Sequence, residues 1–477
     1  MRMIALAAAM TLAVTTAACS AGPPAPATSA PATSAPAPSG TPAARGACRA
    51  GCDTTKARDY NGDGYADLAI GAPGQRFDEG EPPASGYVVV SYGGADGPGP
   101  TGRTLLQPGR GGLPGRSTKG DDFGASSASG DFDGDGYADL AVGATSDLGD
   151  SPAAVTIVFG GRQGLSGRSA VLLRPGDATF GQLLAAGDFN GDGYQDLGVA
   201  TEGAVWVVYG DGRIRRQAPR PRMVRRSSVI NALASGDVTG DGLDDLVVAF
   251  SDHDPADEGA GAVYRGSSGG LKDVAGHTFD AWGVQALAVG DVDGDGFGDV
   301  IAGNSYADAN DPGGQVFLHR GSSAGAAAEG VLISQNSPGV PEDSAEGDGF
   351  GGDLAVGDVN RDGYADVAVG ASGKFARQGA VFLLYGGKGR LPGAGARVLK
   401  PGDARLEQDV QLFGASLQLS DFDNDGAADL AVTIPTEPVV AVLAGLSEGA
   451  RAAEPTLIGP ERVATPGKDS AFGRSLN

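Results

Sequence analysis

A nine-residue acidic pattern recurs seven times along this chain, and no other feature narrows the possible folds so sharply. It reads Asp, any, Asp or Asn, any, Asp, Gly, any, any, Asp. The copies begin at Asp59, Asp131, Asp188, Asp237 (with Thr239 in the third place), Asp291, Asp358 and Asp421. Their spacings of 72, 57, 49, 54, 67 and 63 residues belong to a repeat array. The flanks repeat as well. An apolar stretch such as 180–187 leads in, and a strand such as 139–143 leads out. After a variable loop, a third strand ends in a Gly turn, as in 155–161, and a fourth often ends in Pro-Gly, as in 170–176. No window sustains a 3.6-residue period. Four short strands in each unit of ~60 residues describe a propeller blade, so the prediction is an all-β, seven-bladed β-propeller. The length of 477 residues would otherwise suggest about three domains, but 82 Gly and 6% aromatic residues suit many short strands joined by tight turns.

Two short motifs flank the acidic pattern. Phe-Gly stands before it at Phe123, Phe180, Phe350 and Phe413, with Trp282-Gly283 as a variant and a further copy at Phe472. Gly71-Ala72-Pro73 is complete after the first copy, and Gly143-Ala144 and Gly370-Ala371 are partial. The chain therefore resembles the FG-GAP repeat proteins, whose units build the integrin α-chain propeller, over residues 53–477. It departs from the pattern where blade 4 lacks Phe-Gly and blades 3, 4 and 7 lack Gly-Ala-Pro. Blade 1 also has no Phe-Gly in front of Asp59. Residues 472–477 align with 413–418, which open blade 7, so they are expected to supply the missing inner strand and fasten the ring, displacing residues 53–56 outward.

The acidic loops point to calcium. A hard cation of that size takes about six to eight oxygens from a flexible loop. Side chains at positions 1, 3 and 5 converge as the chain curls, Gly at position 6 allows the sharp turn, position 7 offers a carbonyl, and the Asp at position 9 closes the shell. A hairpin needs one Asp-Gly, not three or four carboxylates that would repel one another without a cation. Loops 2, 5 and 7 supply four carboxylates each: Asp131, Asp133, Asp135 and Asp139; Asp291, Asp293, Asp295 and Asp299; Asp421, Asp423, Asp425 and Asp429. Loops 1, 3 and 6 supply three and an amide: Asp59, Asn61, Asp63 and Asp67; Asp188, Asn190, Asp192 and Asp196; Asp358, Asn360, Asp362 and Asp366. Loop 4, with Asp237, Thr239, Asp241 and Asp245, is expected to hold its ion least well. The resemblance implies the same ligand sets, up to seven calcium ions in all. These 24 carboxylates equal the formal net charge of −24, so the acidity needs no partner to explain it, and a nucleic-acid ligand is excluded.

The N-terminal part carries signals of export. Residues 1–18 hold Arg2, an apolar run and small residues, which read as a signal peptide too short to span a membrane. Thr16-Ala17-Ala18-Cys19 resembles the lipobox of bacterial lipoproteins, in which Cys19 would be acylated and anchor the chain to the outer face of the cytoplasmic membrane; free secretion is the alternative. Residues 19–47 are a Pro-, Ala-, Ser- and Thr-rich tether with too little apolar surface to fold. The propeller domain then runs over 48–477. Cys48 and Cys52 open it, either paired as a disulfide in an oxidising compartment or left as free thiols.

For function, no nucleophile elbow, phosphate loop or Cys/His pair occurs, and His253, His277 and His319 lie in different blades. His319 takes the place of Tyr in the Tyr-Gly turns at Tyr92, Tyr209 and Tyr385, which gives it a packing role. The mammalian phospholipase that carries FG-GAP repeats has a separate His-rich zinc domain, to which nothing here corresponds. The expectation is a monomeric, non-enzymatic surface module that recognises an extracellular protein or glycan, with calcium as structural support. A polysaccharide lyase or hydrolase with its site over the propeller axis is the second reading, and a spacer without a ligand the third. Two surface features stand out. Acidic loops at 78–81, 252–258 and 308–311, joined by 342–348, gather opposite the calcium loops, as recognition elements or as solvated filler. Arg213, Arg215, Arg216, Arg220, Arg222, Arg225 and Arg226 fall where the outer strand of blade 3 should lie, guarding that edge or binding anions.

Overall fold

The computed structural model describes residues 57–477, apart from 75–84, 100–101, 117–119, 146–152, 228, 252–258, 273–277, 307–310, 390–392, 394, 407–409, 436–437, 448–452 and 460–470. The signal peptide, the tether, Cys19, Cys48, Cys52, and the acidic loops at 78–81 and 252–258 lie outside the described residues, as does 308–310.

Seven four-stranded antiparallel sheets form the seven blades of a β-propeller. Blade 2 shows the plan. Its inner strand is Ser127–Gly130, followed outward by Asp139–Ala144, Ala154–Phe159 and Ser166–Leu173. The acidic loop joins the first strand to the second, so all seven loops lie at one end of the blades and the second-to-third connections at the other. Blade 1 is assembled from both ends of the domain. Ser475–Leu476 pairs antiparallel with Leu68–Ala72 as the inner strand, with Ile70 opposite Leu476 and Gly71 opposite Ser475.

The apolar core is divided among the blade junctions. Leu140 and Val142 pack with Val88 and Phe123 of the blade 1 junction, while Ala141 between them packs with Phe180 and Leu184 on the blade 3 side. Both faces of an inner sheet are therefore covered. This is why the second strands read as continuous apolar runs rather than as alternating ones. Among the described residues seven such clusters occur, and one of them joins Phe422 and Val440 of blade 7 to Ile70, Phe472 and Leu476.

The Phe-Gly and Gly-Ala motifs interlock neighbouring blades. A Cβ on Gly143 would stand 2.2 Å from the carbonyl oxygen of Gly181, and one on Gly71 2.2 Å from that of Gly124. The Gly near the end of the second strand thus receives the backbone of the next blade's Phe-Gly turn, which has φ of +95° at Gly181. The preceding Phe is driven into the junction, where Phe123, Phe180, Phe350, Phe413 and Phe472 are all buried.

Candidate functional site: a ring of acidic loops

Each acidic loop is folded by its own carboxylates. In loop 2, Asp131 Oδ1 accepts from the amides of Gly134 (2.6 Å) and Asp135 (3.1 Å), and Oδ2 accepts from Gly136 (2.9 Å). Asp133 Oδ1 accepts from Asp135 N, and Asp135 Oδ1 from Tyr137 N. The contact from the position-6 Gly amide to position 1 recurs in all seven loops at 2.8–3.0 Å. That Gly has a positive φ each time, for example +92° at Gly136.

Position 9 ties the loop to the rest of the blade. Asp139 Oδ2 accepts from Phe132 N inside the loop, and Oδ1 accepts from Gly160 N in the turn after the third strand. The second contact is repeated by Asp67, Asp196, Asp245, Asp299 and Asp366 with Gly93, Gly210, Gly266, Gly321 and Gly386. Burial pushes the carboxyls of Asp67, Asp139, Asp196, Asp366 and Asp429 up to about 8 and that of Asp245 to about 7. Asp299 reaches only about 6, because Arg320 partly offsets its burial. Burial also raises position 1 in loops 2 to 7. To ionise at neutral pH, carboxyls held this way need a compensating cation.

The donor set suits a hard cation. Oxygens of Asp131, Asp133 and Asp139, of Asp291, Asp293 and Asp295, and of Asp421, Asp423 and Asp425 lie within 4.8 Å of one another in each trio. Two oxygens on opposite sides of a calcium ion, each at ~2.4 Å, would be about 4.8 Å apart. These trios come from the three loops with four carboxylates. In loops 1, 3 and 6 the amide oxygens of Asn61, Asn190 and Asn360 accept from the amides of Asp63, Asp192 and Asp362. The side-chain amides of Asn61 and Asn360 also donate to Asp63 and Asp362. Loop 4 is wired differently, since Thr239 N, at position 3, donates to Asp245 Oδ2.

The loops are joined to one another in a way that the sequence pattern left unread. The position-8 amide of each loop donates to the position-1 carbonyl of the loop before it. The chain of contacts runs from Ala138 to Asp59 (3.0 Å), through Gln195–Asp131, Asp244–Asp188, Gly298–Asp237, Ala365–Asp291 and Ala428–Asp358, and closes with Ala66 to Asp421 (3.4 Å). Position 4 is Gly in loops 1 to 5 because the position-7 side chain of the next loop lies against it: a Cβ on Gly62 would be 2.5 Å from the Tyr137 ring, and one on Gly134 2.5 Å from Tyr194. Where position 7 shrinks to Ala427, position 4 of the preceding loop becomes Arg361.

The arginine stripe is corrected by the structure. Only Arg222, Arg225 and Arg226 lie on the outer strand of blade 3, Arg222–Arg226. Arg225 turns inward over the Phe250 ring (3.6 Å) and donates to the Tyr264 hydroxyl of blade 4 (3.0 Å), and Arg222 stands 5.6 Å from the Tyr209 ring centre. Arg215, in the turn before the strand, crosses to loop 2, where it pairs with Asp133 and Asp135. A continuous anion-binding stripe is therefore not formed. His319 is buried with its ring centre 4.7 Å from that of Phe279, and Nδ1 lies 2.9 Å from the Ala327 carbonyl oxygen. Along the described inner strands the ionisable side chain is Asp353, whose Oδ2 accepts from Leu417 N in the next blade.

The comparisons with known proteins agree with this geometry. The FG-GAP repeat pattern matches residues 54–103, 123–158, 283–319 and 350–384, and an FG-GAP-like repeat matches 188–248. This is an FG-GAP repeat β-propeller. The FG-GAP propeller is 32% identical to integrin alpha-PS5 of Drosophila melanogaster over 181 residues, 35% of this chain and 17% of that protein. It is 31% identical to the phosphatidylinositol-glycan-specific phospholipase D of Rattus norvegicus over 161 residues, 32% of this chain and 18% of that one. The chain thus spans less than a fifth of the length of these relatives. Among solved structures, the Dos1 propeller is similar at a TM-score of 0.44 and 12% identity, over 81% of this chain and 80% of that one. No helix among the described residues is long and apolar enough to cross a membrane.

Proposed function

We propose that this FG-GAP propeller is an exported, calcium-stabilised recognition module, held at the outer surface of the cell by acylated Cys19 and a Pro-rich tether, and binding a protein or glycan. The observation that carries the calcium reading is the convergence of acidic oxygens in loops 2, 5 and 7 of a ring of seven loops, each ordered by its own carboxylates. The likeness to integrin α-chains supports recognition as the task. Calcium has a structural role in this reading, because the loops are tied to each other and to the blades rather than left open to a ligand.

Recognition is assigned to the opposite end of the blades. There Trp282, before the inner strand of blade 5, and Tyr306, after its second strand, are exposed. Asn304 holds the two together, its side-chain amide donating to the Trp282 carbonyl and its oxygen accepting from Tyr306 N, each at 2.9 Å. Exposed rings held by a rigid scaffold suit the apolar face of a sugar, which favours a glycan ligand. Screening the exported protein against glycans, cell-wall polymers and secreted proteins, with and without Trp282→Ala, is the test. Glycan binding lost on that substitution, with melting unchanged, is the expected result; binding indifferent to it would refute the assignment of the face. Intact mass of the exported protein checks the lipid on Cys19, and a mature form beginning elsewhere would refute the tether.

A further inference from the structure

Two of the four-carboxylate loops already hold a cation of their own. The guanidinium of Arg215, carried on the turn after the third strand of blade 3, bridges Asp133 Oδ2 and Asp135 Oδ2 of loop 2, while its central carbon lies 4.8 Å from the Phe159 ring centre. Arg320, one residue beyond the third strand of blade 5, bridges Asp293 Oδ2 (2.7 Å) and Asp299 Oδ2 (3.0 Å) of loop 5. In each case the oxygens taken include those that the backbone amides leave for an ion, at positions 3 and 5 in loop 2 and position 3 in loop 5.

The convergent trios include carboxylates so taken. Asp133, which Arg215 holds, belongs to the loop 2 trio, and Asp293, which Arg320 holds, belongs to the loop 5 trio, so each guanidinium sits on an oxygen that an ion there would need. Arg361 is different, since it touches Asp425 of loop 7 alone and both side chains are about half exposed, at 54% and 48%. In loops 1 and 6 the corresponding oxygen is held by the neutral amide of Asn61 or Asn360, which can turn over and present its own oxygen to an ion.

We infer that Arg215 and Arg320 are internal competitors for the cation at loops 2 and 5, so that calcium must displace a guanidinium to fill them. This rests on the calcium reading above. Loops 2 and 5, though among the richest in carboxylate, are then not the first to fill, and loops 1, 3 and 6 load at lower calcium than they do. Because Arg215 comes from blade 3, loading loop 2 also releases a tether between two blades.

The test is calcium titration of the full-length exported protein by calorimetry, with bound metal counted by elemental analysis, for the wild type, Arg215→Gln and Arg320→Gln. Each substitution should move about one ion from the weak class to the tight class. Binding at that loop should tighten about five- to tenfold, the range that two partly exposed ion pairs can supply. The calcium-free variants should melt below the calcium-free wild type, and the difference should vanish at saturating calcium. Arg320→Lys, which keeps the charge but loses the fork, should fall between and serves if the Gln variant does not fold. Unchanged or weaker calcium binding in the variants, or seven equivalent ions in the wild type, would overturn the inference while leaving the calcium reading intact. Absence of calcium from the wild type and all variants would overturn both.

Discussion

Truncating Phe472 to Ala tests how the ring is closed. Phe472 and Leu476 are buried in the junction of blades 7 and 1, against Ile70, Val440 and Ile458. Around them Asn477 N donates to the Ala69 carbonyl (3.0 Å), Ala69 N donates back (2.6 Å), and Gly473 N donates to Gly71 (3.0 Å). Beyond them Ser475 Oγ donates to the Gly124 carbonyl and Asn477 Nδ2 to that of Ser127, so six residues tie blade 1 to blade 2 as well. Removing a buried Phe ring typically costs about 3–5 kcal/mol. With ~2.1 cal/mol/K of unfolding entropy per residue, a domain of this length should lose about 3–6 °C in melting temperature. Phe413→Ala, at the equivalent place in blade 7 and equally buried, is the matched comparison. If 472–477 is the inner strand of blade 1, the two variants should lose similar amounts in scanning calorimetry. Deleting 472–477 should remove the cooperative transition, because the loss of Phe472 and Leu476 together approaches the ~5–15 kcal/mol stability of a whole domain. A Phe472→Ala protein that melts within about 1 °C of wild type, while Phe413→Ala does not, would refute the closure.

Chelation should lower the melting temperature clearly, since a loop with a dissociation constant of ~10⁻⁴–10⁻³ M gains about 0.4–1.4 kcal/mol at millimolar calcium; an unchanged melt and no bound calcium would sink that reading. Without calcium, stability should fall as pH rises. The position-9 carboxyls are raised from 3.8 to about 8 in loops 1, 2, 3, 6 and 7, so the folded state keeps protons that the unfolded chain has lost in that window, and the contribution present below it disappears above it. With saturating calcium the trend should reverse, because binding expels those protons; calcium-free melts that rise from pH 5 to pH 8 would contradict the argument. Gly143→Ala should cost about 1–3 kcal/mol by pressing a methyl against the Gly181 carbonyl. Gly161→Ala, which meets nothing within 4 Å, should be neutral by comparison, and equal melts would argue against the interlock.

The sequence made the blade count legible because the acidic loops are fixed in length while everything between them varies. Position 1 must reach the amide of position 6, and position 9 must reach both the loop and the third-strand turn, so neither an insertion nor a deletion is tolerated inside the nine residues. The alignment of Phe472 with Phe413 was readable for a similar reason, since a Phe-Gly pair marks a positive-φ turn beneath a buried ring. The arginines were misread because a charge seen along the sequence carries no direction. Arg215 and Arg225 each leave their own blade, and only the three-dimensional path shows Asp133 or Phe250 waiting for them. The contacts between loops were hidden as well, because they use the backbone carbonyl at position 1 and the backbone amide at position 8, and the position-8 side chain is free to change from Ala138 to Gln195 to Gly298.

Those backbone contacts decide how the seven loops must behave together. A loop that loosens moves its position-1 carbonyl, and with it the amide of the next loop; the last contact, Ala66 to Asp421, returns the disturbance to blade 1. The aromatic residue at position 7 adds a second link, because Tyr137 rests on Gly62 and Tyr194 on Gly134. Loosening one loop therefore weakens two junctions, and loosening all seven weakens each junction from both sides. Neighbouring sites in contact depart from additivity by about 0.5–3 kcal/mol, whereas distant ones add. Asp131→Asn and Asp188→Asn, in adjacent loops, should accordingly couple in a double-mutant cycle of melting free energies, while Asp131→Asn and Asp358→Asn should add. Additivity in both pairs would show the loops to be seven separate sites, and the ring of amides to be a consequence of the fold rather than a conductor of calcium's effect.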